Sequence, residues 1–164
     1  MTMRPAVRTF ALTVHVCCSV GWLGAVGVFV ALAVVGLTGQ DRTARAAYLV
    51  MEPLTWAVLV PLAFASLLTG VIQALGTTWG LFRHYWVLVK LLLTVVATVV
   101  LLLYTRTVGV LADVAAAPGS DVRGLGFSPL LHSGAALVVL LVATVLATYK
   151  PRGRTGFGRR RRPG

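Results

Sequence analysis

An all-α protein built as a four-helix transmembrane bundle is what the sequence predicts, and three observations predict it. Apolar residues make up 58% of the 164 positions and charged residues only 12%, with a mean hydropathy of +0.90, whereas soluble domains are about half apolar and a quarter charged. Four stretches of roughly 20 residues or more, enough to cross a hydrocarbon core about 30 Å thick, carry almost no charge. None shows the period-two alternation of a membrane β-barrel, and lipid offers no partner to backbone N–H and C=O groups, so each stretch has to be a helix. An ordinary soluble enzyme is excluded.

The first span covers about 9–37, behind Arg4 and Arg8. It begins like a signal peptide, but its apolar run is far longer than the roughly 7–15 residues of a signal core, which makes it an uncleaved anchor. The second span, about 47–75, holds Pro61 near its middle, where the missing N–H frees a carbonyl and a kink is expected. The third runs over about 82–105, with a possible continuation through Leu111 to Ala115 before Pro118-Gly119 breaks it. The fourth covers about 129–149; Ser128 is placed to cap it and Pro129 to take its first position. Thr38 to Arg42 and Gly76 to Thr78 supply the turns between spans.

The 15 basic residues give a net charge of +11, but seven of them lie between Lys150 and Arg162. Residues 150–164 therefore form a basic cytoplasmic tail, expected to be disordered, in which Arg152, Arg154, Arg159, Arg160, Arg161 and Arg162 meet anionic lipid headgroups at about 1 kcal/mol per charge. No nucleic-acid partner is expected. Cytoplasmic flanks of spans carry the excess of Lys and Arg. With the tail inside, up-down topology places both termini in the cytoplasm, alongside Arg4, Arg8 and Arg83. Arg42, Arg45, Arg106 and Arg123 then lie outside, as do all four acids, Asp41, Glu52, Asp113 and Asp121. The expected location is the cell membrane, with multiple passes, and the expected partners are the bilayer and either a second copy or another membrane protein.

Ionisable groups inside spans are costly, so each needs a reason. His15, Ser19 and Trp22 share one face of the first span. His15 is a candidate haem or copper ligand, with His84 or His132 as its partner; the plainer alternative is a neutral imidazole bonded to a neighbouring helix. Lys90 lies about two turns into the third span, where it either snorkels to the headgroups or turns inward to a polar layer with His15 and Gln73 that could hold an anionic group. Glu52, Thr55, Ser66, Gly70 and Gln73 fall within an arc of about 60° and should face protein. Glu52 and His132 form a candidate outer metal site, with hydration among the headgroups as the alternative.

Gly21, Gly24 and Gly27, with Gly134, Ala135 and Ala136, are small surfaces suited to close helix packing. Thr94, Thr98 and Thr105 are expected to bond across helices or to their own backbone. Cys17 and Cys18 read as small buried hydrophobes rather than as a disulfide framework. No catalytic residues are expected, because nothing here pairs a nucleophile with a base.

Two stretches, His15 through Trp22-Leu23-Gly24 and Tyr85-Trp86-Val87-Leu88-Val89-Lys90-Leu91-Leu92-Leu93, resemble helices of bacterial CopD-type copper-resistance membrane proteins and related small four-helix membrane proteins. The resemblance implies that the His15 face packs against the Lys90 helix, and it implies a connection to copper or b-type haem. The residues alone lead first to a non-enzymatic structural or accessory membrane component, then to a haem- or copper-binding redox or transport module, and third to a small proton-coupled transporter centred on Glu52 and Pro61.

Overall fold

The computed structural model describes residues 3–76, 84–122 and 125–149, and all of its regular elements are helices: α1 (Pro5–Thr38), α2 (Asp41–Leu54), α3 (Val60–Gly76), α4 (Tyr85–Ala116) and α5 (Phe127–Tyr149). A π-helical turn, Thr55–Leu59, joins α2 to α3 without a break. Four helical stretches are thus long and apolar enough to cross a membrane: α1, the continuous Asp41–Gly76 helix, α4 and α5. Their outward faces are rich in large apolar side chains, among them Val20, Leu68, Leu92 and Leu103, the last 71% exposed. A water-soluble chain would bury such faces; lipid as solvent removes the need.

Helix ends depart from the expected limits where local chemistry allows. Pro5 sits in the first turn of α1, where an amide hydrogen has no intrahelical acceptor. The second helix starts at Asp41, six residues before the apolar stretch begins. Its acidic first turn suits the positive end of the helix dipole, and Asp41 also accepts a 2.9 Å bond from Arg45 one turn later. The irregularity expected at Pro61 lies just ahead of it. Pro61 cannot donate to the carbonyl four residues back, and the preceding turn loosens so that Val60 N–H bonds to Thr55 O, five residues back.

The third span does continue past its apolar part, to Ala116, before the turn at Pro118-Gly119, where Gly119 takes φ 77°. Ser128 is not the cap of the last helix, which begins one residue earlier at Phe127; its hydroxyl instead meets the Tyr104 hydroxyl at 3.1 Å. The predicted stop at Lys150 to Gly153, the turn residues Thr77 and Thr78, and the basic tail lie outside the described residues.

The packing order is a ring. α1 packs on the α2–α3 helix and on α5, and α4 also packs on both. Among the described residues the diagonal pairs, α1 with α4 and the α2–α3 helix with α5, bring no Cα atoms within 8 Å. Trp22, Val26, Phe29 and Ala33 of α1 fill the middle against Leu59, Ala63, Tyr104, Val108 and Leu140. Burying side chains of that size tightly is what holds helices together when lipid removes the hydrophobic contrast.

Candidate functional site

A polar cluster lies toward one end of the helices, where the first part of α1 meets the last part of α3 and the start of α4. His15 is buried, with its ring edge 3.1 Å from where a Cβ on Gly70 would stand, so α3 offers it a bed that only glycine leaves open. Its Nδ1 lies 2.9 Å from Thr69 Oγ1, and its Nε2 lies 3.1 Å from Lys90 Nζ. One turn deeper, Ser19 Oγ and Ser66 Oγ are 2.8 Å apart.

The direction of these bonds follows from the donors available. Thr69 Oγ1 lies 2.6 Å from Ala65 O, so its single hydrogen goes to that carbonyl. It must then accept from His15 Nδ1–H, which leaves Nε2 as an acceptor for a Lys90 N–H. The result is a directed chain from Lys90 on α4, through His15 on α1, to Thr69 and Ala65 on α3. It spans the diagonal that the backbones leave unbridged, and it needs a neutral imidazole. Lys90 therefore turns inward, the second of the two roles open to it. Gln73, one turn past Thr69 on the same face, has its Nε2 buried without a hydrogen-bond partner among the described residues.

The opposite end is built differently. Arg45 reaches across to the last turn of α4 and the loop after it. It donates from Nη1 to Ala115 O and Ala117 O, both at 3.1 Å, and to Ser120 Oγ at 3.0 Å, while Nη2 bonds to Ser120 O. Carbonyls at a helix C-terminus have no intrahelical donor, and a guanidinium fork satisfies several at once. Beside it, the fully buried Tyr48 ring lies between two glycines. A Cβ on Gly36 would come within 2.6 Å of the ring, and one on Gly126 within 2.8 Å of the Leu37 backbone and 2.9 Å of the Tyr48 hydroxyl. Among the described residues that hydroxyl has no hydrogen-bond partner.

The candidate ligands are scattered along the helices. His132 is exposed, stacks on Tyr104 with ring centroids 4.1 Å apart, and donates from Nδ1 to Ser128 O at 2.9 Å. Tyr104 is 14 residues from Lys90 on α4, about 21 Å of helix rise, so His15 and His132 are not brought together. His84 stands at the N-cap position of α4, without a side-chain cap bond, six residues before Lys90, about 9 Å along the axis. Both ring nitrogens of His15 are occupied by Thr69 and Lys90. Glu52 approaches α4 at Gly109, with Oε1 3.8 Å from a Cβ built there, while His132 lies on α5, an element that does not pack on α2. Among the described residues, no three His, Cys, Asp or Glu side chains gather as a metal site.

Several expectations need correction. A Cβ placed on Gly24, Gly27 or Gly134 would meet nothing within 4 Å, so these are not the close-packing points; one on Gly21 would touch Leu62 only at ordinary van der Waals distance. The close approaches between helices are at Gly36 and Gly126, and at Gly76, where a Cβ would run into the flexible Met3 side chain. Cys17 is exposed and Cys18 partly so, both free thiols rather than core residues. Thr94, Thr98 and Thr105 follow the second of the two expected modes, bonding back to carbonyls of their own helix. Thr69, Arg45 and Tyr48 were not singled out by the sequence. Thr69 had a usable signal, since it adjoins the polar stripe at Gly70 and Gln73.

No family model, curated protein or solved structure matches the chain.

Proposed function

We propose that this chain is an integral protein of the cell membrane, crossing it four times as an up-down bundle with both ends in the cytoplasm. In this reading it works as a structural or accessory component, alone as a homo-oligomer or beside another membrane protein, and is not an enzyme. The observation that carries the reading is how the polar groups inside the spans are used. His15, Lys90 and Thr69 bond to one another, and Ser19 bonds to Ser66, so these groups join helices. Between them and Glu52 lies the apolar layer of Trp22, Val26, Phe29, Leu59 and Ala63. Such a layer supports a scaffold over a proton-coupled conduit, because a path for ions needs water or polar groups along its length. The orientation rests on Arg4, Arg8, Arg83 and the basic tail, whose arginines bind anionic headgroups.

The test joins topology to spectroscopy. Reporter fusions at the two ends should both read cytoplasmic. Protein purified in detergent from cells supplied with haem precursor and copper should show no Soret band and far less than one copper per chain. A Soret band or stoichiometric copper would replace this reading with a haem or copper carrier built on His15 or His84.

A further inference from the structure

Lys90 presents a problem that the chain cannot solve with its own acids, given the membrane reading above, on which this inference rests. An ammonium inside a span needs a counter-charge or a full set of acceptors. The sequence holds four acidic side chains, and all are remote. Asp113 lies 23 residues along the same helix from Lys90, about 34 Å away. Glu52 lies beside Gly109, 19 residues from Lys90 and about 28 Å along the axis. Asp41 is paired with Arg45, which is itself bonded to the far end of α4, and Asp121 follows Ser120 in that same assembly.

Among the described residues, the Lys90 ammonium meets a single acceptor. The acceptor it has is His15 Nε2, at 3.1 Å, which takes one of its three hydrogens. On α3, one turn past the Thr69 that holds His15, Gln73 carries two more N–H bonds on a buried Nε2 that meets no acceptor among the described residues. Neither neighbouring threonine takes a Lys90 hydrogen: Thr69 Oγ1 receives His15, and Thr94 Oγ1 donates to the Lys90 carbonyl of its own helix without accepting from Nζ. A buried donor without an acceptor costs about 1–3 kcal/mol and a charged one more, so the arrangement fits a group that is anionic and rich in acceptor oxygens. The depth fits as well. Lys90 is five residues from the start of α4 at Tyr85, about 8 Å, within reach of a headgroup at the membrane surface.

We propose that Lys90 Nζ and Gln73 Nε2 hold the phosphate oxygens of an anionic lipid headgroup, taken from the leaflet on which α4 begins. His15 serves as a positioning residue. Bonded to Thr69, it offers Nε2 to Lys90 and holds the ammonium inside the ring of helices rather than letting it snorkel outward.

The full-length chain, purified in mild detergent, is to be titrated with phosphatidylglycerol, phosphatidylcholine or inorganic phosphate, reading bound mass by native mass spectrometry and the thermal midpoint. One phosphatidylglycerol per chain should survive activation that strips phosphatidylcholine, and it should raise the midpoint. Lys90→Met should lower that occupancy about tenfold or more, the value of one charged hydrogen bond; if that variant fails to fold, Lys90→Gln should show the same loss. Gln73→Glu supplies an internal carboxylate, so it should release the lipid and leave the lipid-free protein as stable as the lipid-bound wild type. Replacing the six tail arginines by serine should remove only the loosely held lipid. Equal stabilisation by inorganic phosphate keeps the phosphate site but overturns the lipid as its source. Retention of the lipid by Lys90→Met and Gln73→Glu alike would overturn the site while leaving the membrane reading intact. Recovery of the wild-type chain as a soluble monomer without detergent would instead remove that reading.

Discussion

The two ends of the helix assembly each hold a cation among buried groups, and they treat it in opposite ways. Arg45 is saturated: a carboxylate and carbonyls from the end of α4 take up its fork. Lys90 has an imidazole. One arrangement closes a helix terminus and leaves nothing over, which makes it a clamp. The other leaves hydrogens and charge over, which makes it an acceptor-seeking site. Around Tyr48 the backbones come so close that no methyl fits, whereas around His15 one glycine, Gly70, leaves a bed for a ring. At the polar end a Cβ on Gly76 would meet only the flexible Met3 side chain, whereas Gly36 and Gly126 face a buried ring and a backbone, so rigid packing and polarity are divided between the ends, the first serving assembly and the second available for binding.

The largest effects should come from the tight end. Gly126→Ala drives a methyl group to 2.8 Å from the Leu37 backbone, which cannot swing aside, and Gly36→Ala puts one 2.6 Å from a ring with no free space. Each should cost about 3 kcal/mol, the upper part of the usual range for overpacking, measured by unfolding in mixed detergent micelles. Gly24→Ala, which meets nothing within 4 Å, is the control and should be neutral or slightly stabilising. A cost at Gly24 equal to that at Gly36 would erase the distinction between the ends.

Arg45→Ala should follow, at about 2 kcal/mol, because it strips several acceptors at the end of α4 of a charged donor. Arg45→Lys should recover only part of this, since one ammonium cannot span the acceptors that a planar fork reaches. If Lys restored the whole effect, charge near the helix dipole rather than bond geometry would explain the clamp.

How much of this was legible in the sequence depends on the range over which each cause acts. Helix identity is a local matter: uncharged length together with the need to satisfy backbone groups in lipid decides it, and the four stretches follow. Pro61 announces an irregularity for the same reason, although only the structure shows that the turn before it loosens into a π turn. The polar stripe from Thr55 to Gln73 and the similar depth of His15 and Lys90 could be read from helical spacing. Whether Lys90 points inward could not, because its rotation depends on His15 lying on Gly70 of a third helix. Gly36 and Gly126 were invisible since their need is created by Tyr48, 12 and 78 residues away. Gly24 and Gly27 looked more suitable by spacing and touch nothing. Arg45 counted only as a loop charge, because its acceptors exist only once α4 is seen to run on to Ala116 and turn at Gly119.

Tyr48→Phe sharpens the contrast from the other direction. The hydroxyl is buried and has no partner among the described residues, so removing it should stabilise the protein by about 1 kcal/mol, as expected when a desolvated polar group is deleted without loss of a bond. The same change removes an atom 2.9 Å from the methyl positions of both Gly36 and Gly126. In the double variants it should therefore relieve part of the cost of each alanine. Additive effects would show that the ring body or the backbone, and not the hydroxyl, sets the spacing.

The smallest expected effect lies at the polar end, in the Ser19–Ser66 pair. Its 2.8 Å bond joins α1 to α3, and it invites the view that polar contacts in lipid must be strong because no water competes. The argument omits the reference state: helices separated in the membrane can bond their hydroxyls back to their own carbonyls, as Thr94 and Thr98 already do here. Exchange of one bond for another leaves a net gain of about 0.6 kcal/mol, the average found for such pairs. A double-mutant cycle with Ser19→Ala and Ser66→Ala should return a coupling of that size, several times below the cost of Gly36→Ala. A coupling of about 2 kcal/mol or more would mean that the hydroxyls hold α1 against α3 as firmly as the glycines hold Tyr48, and the division between a tight end and a polar end would fail.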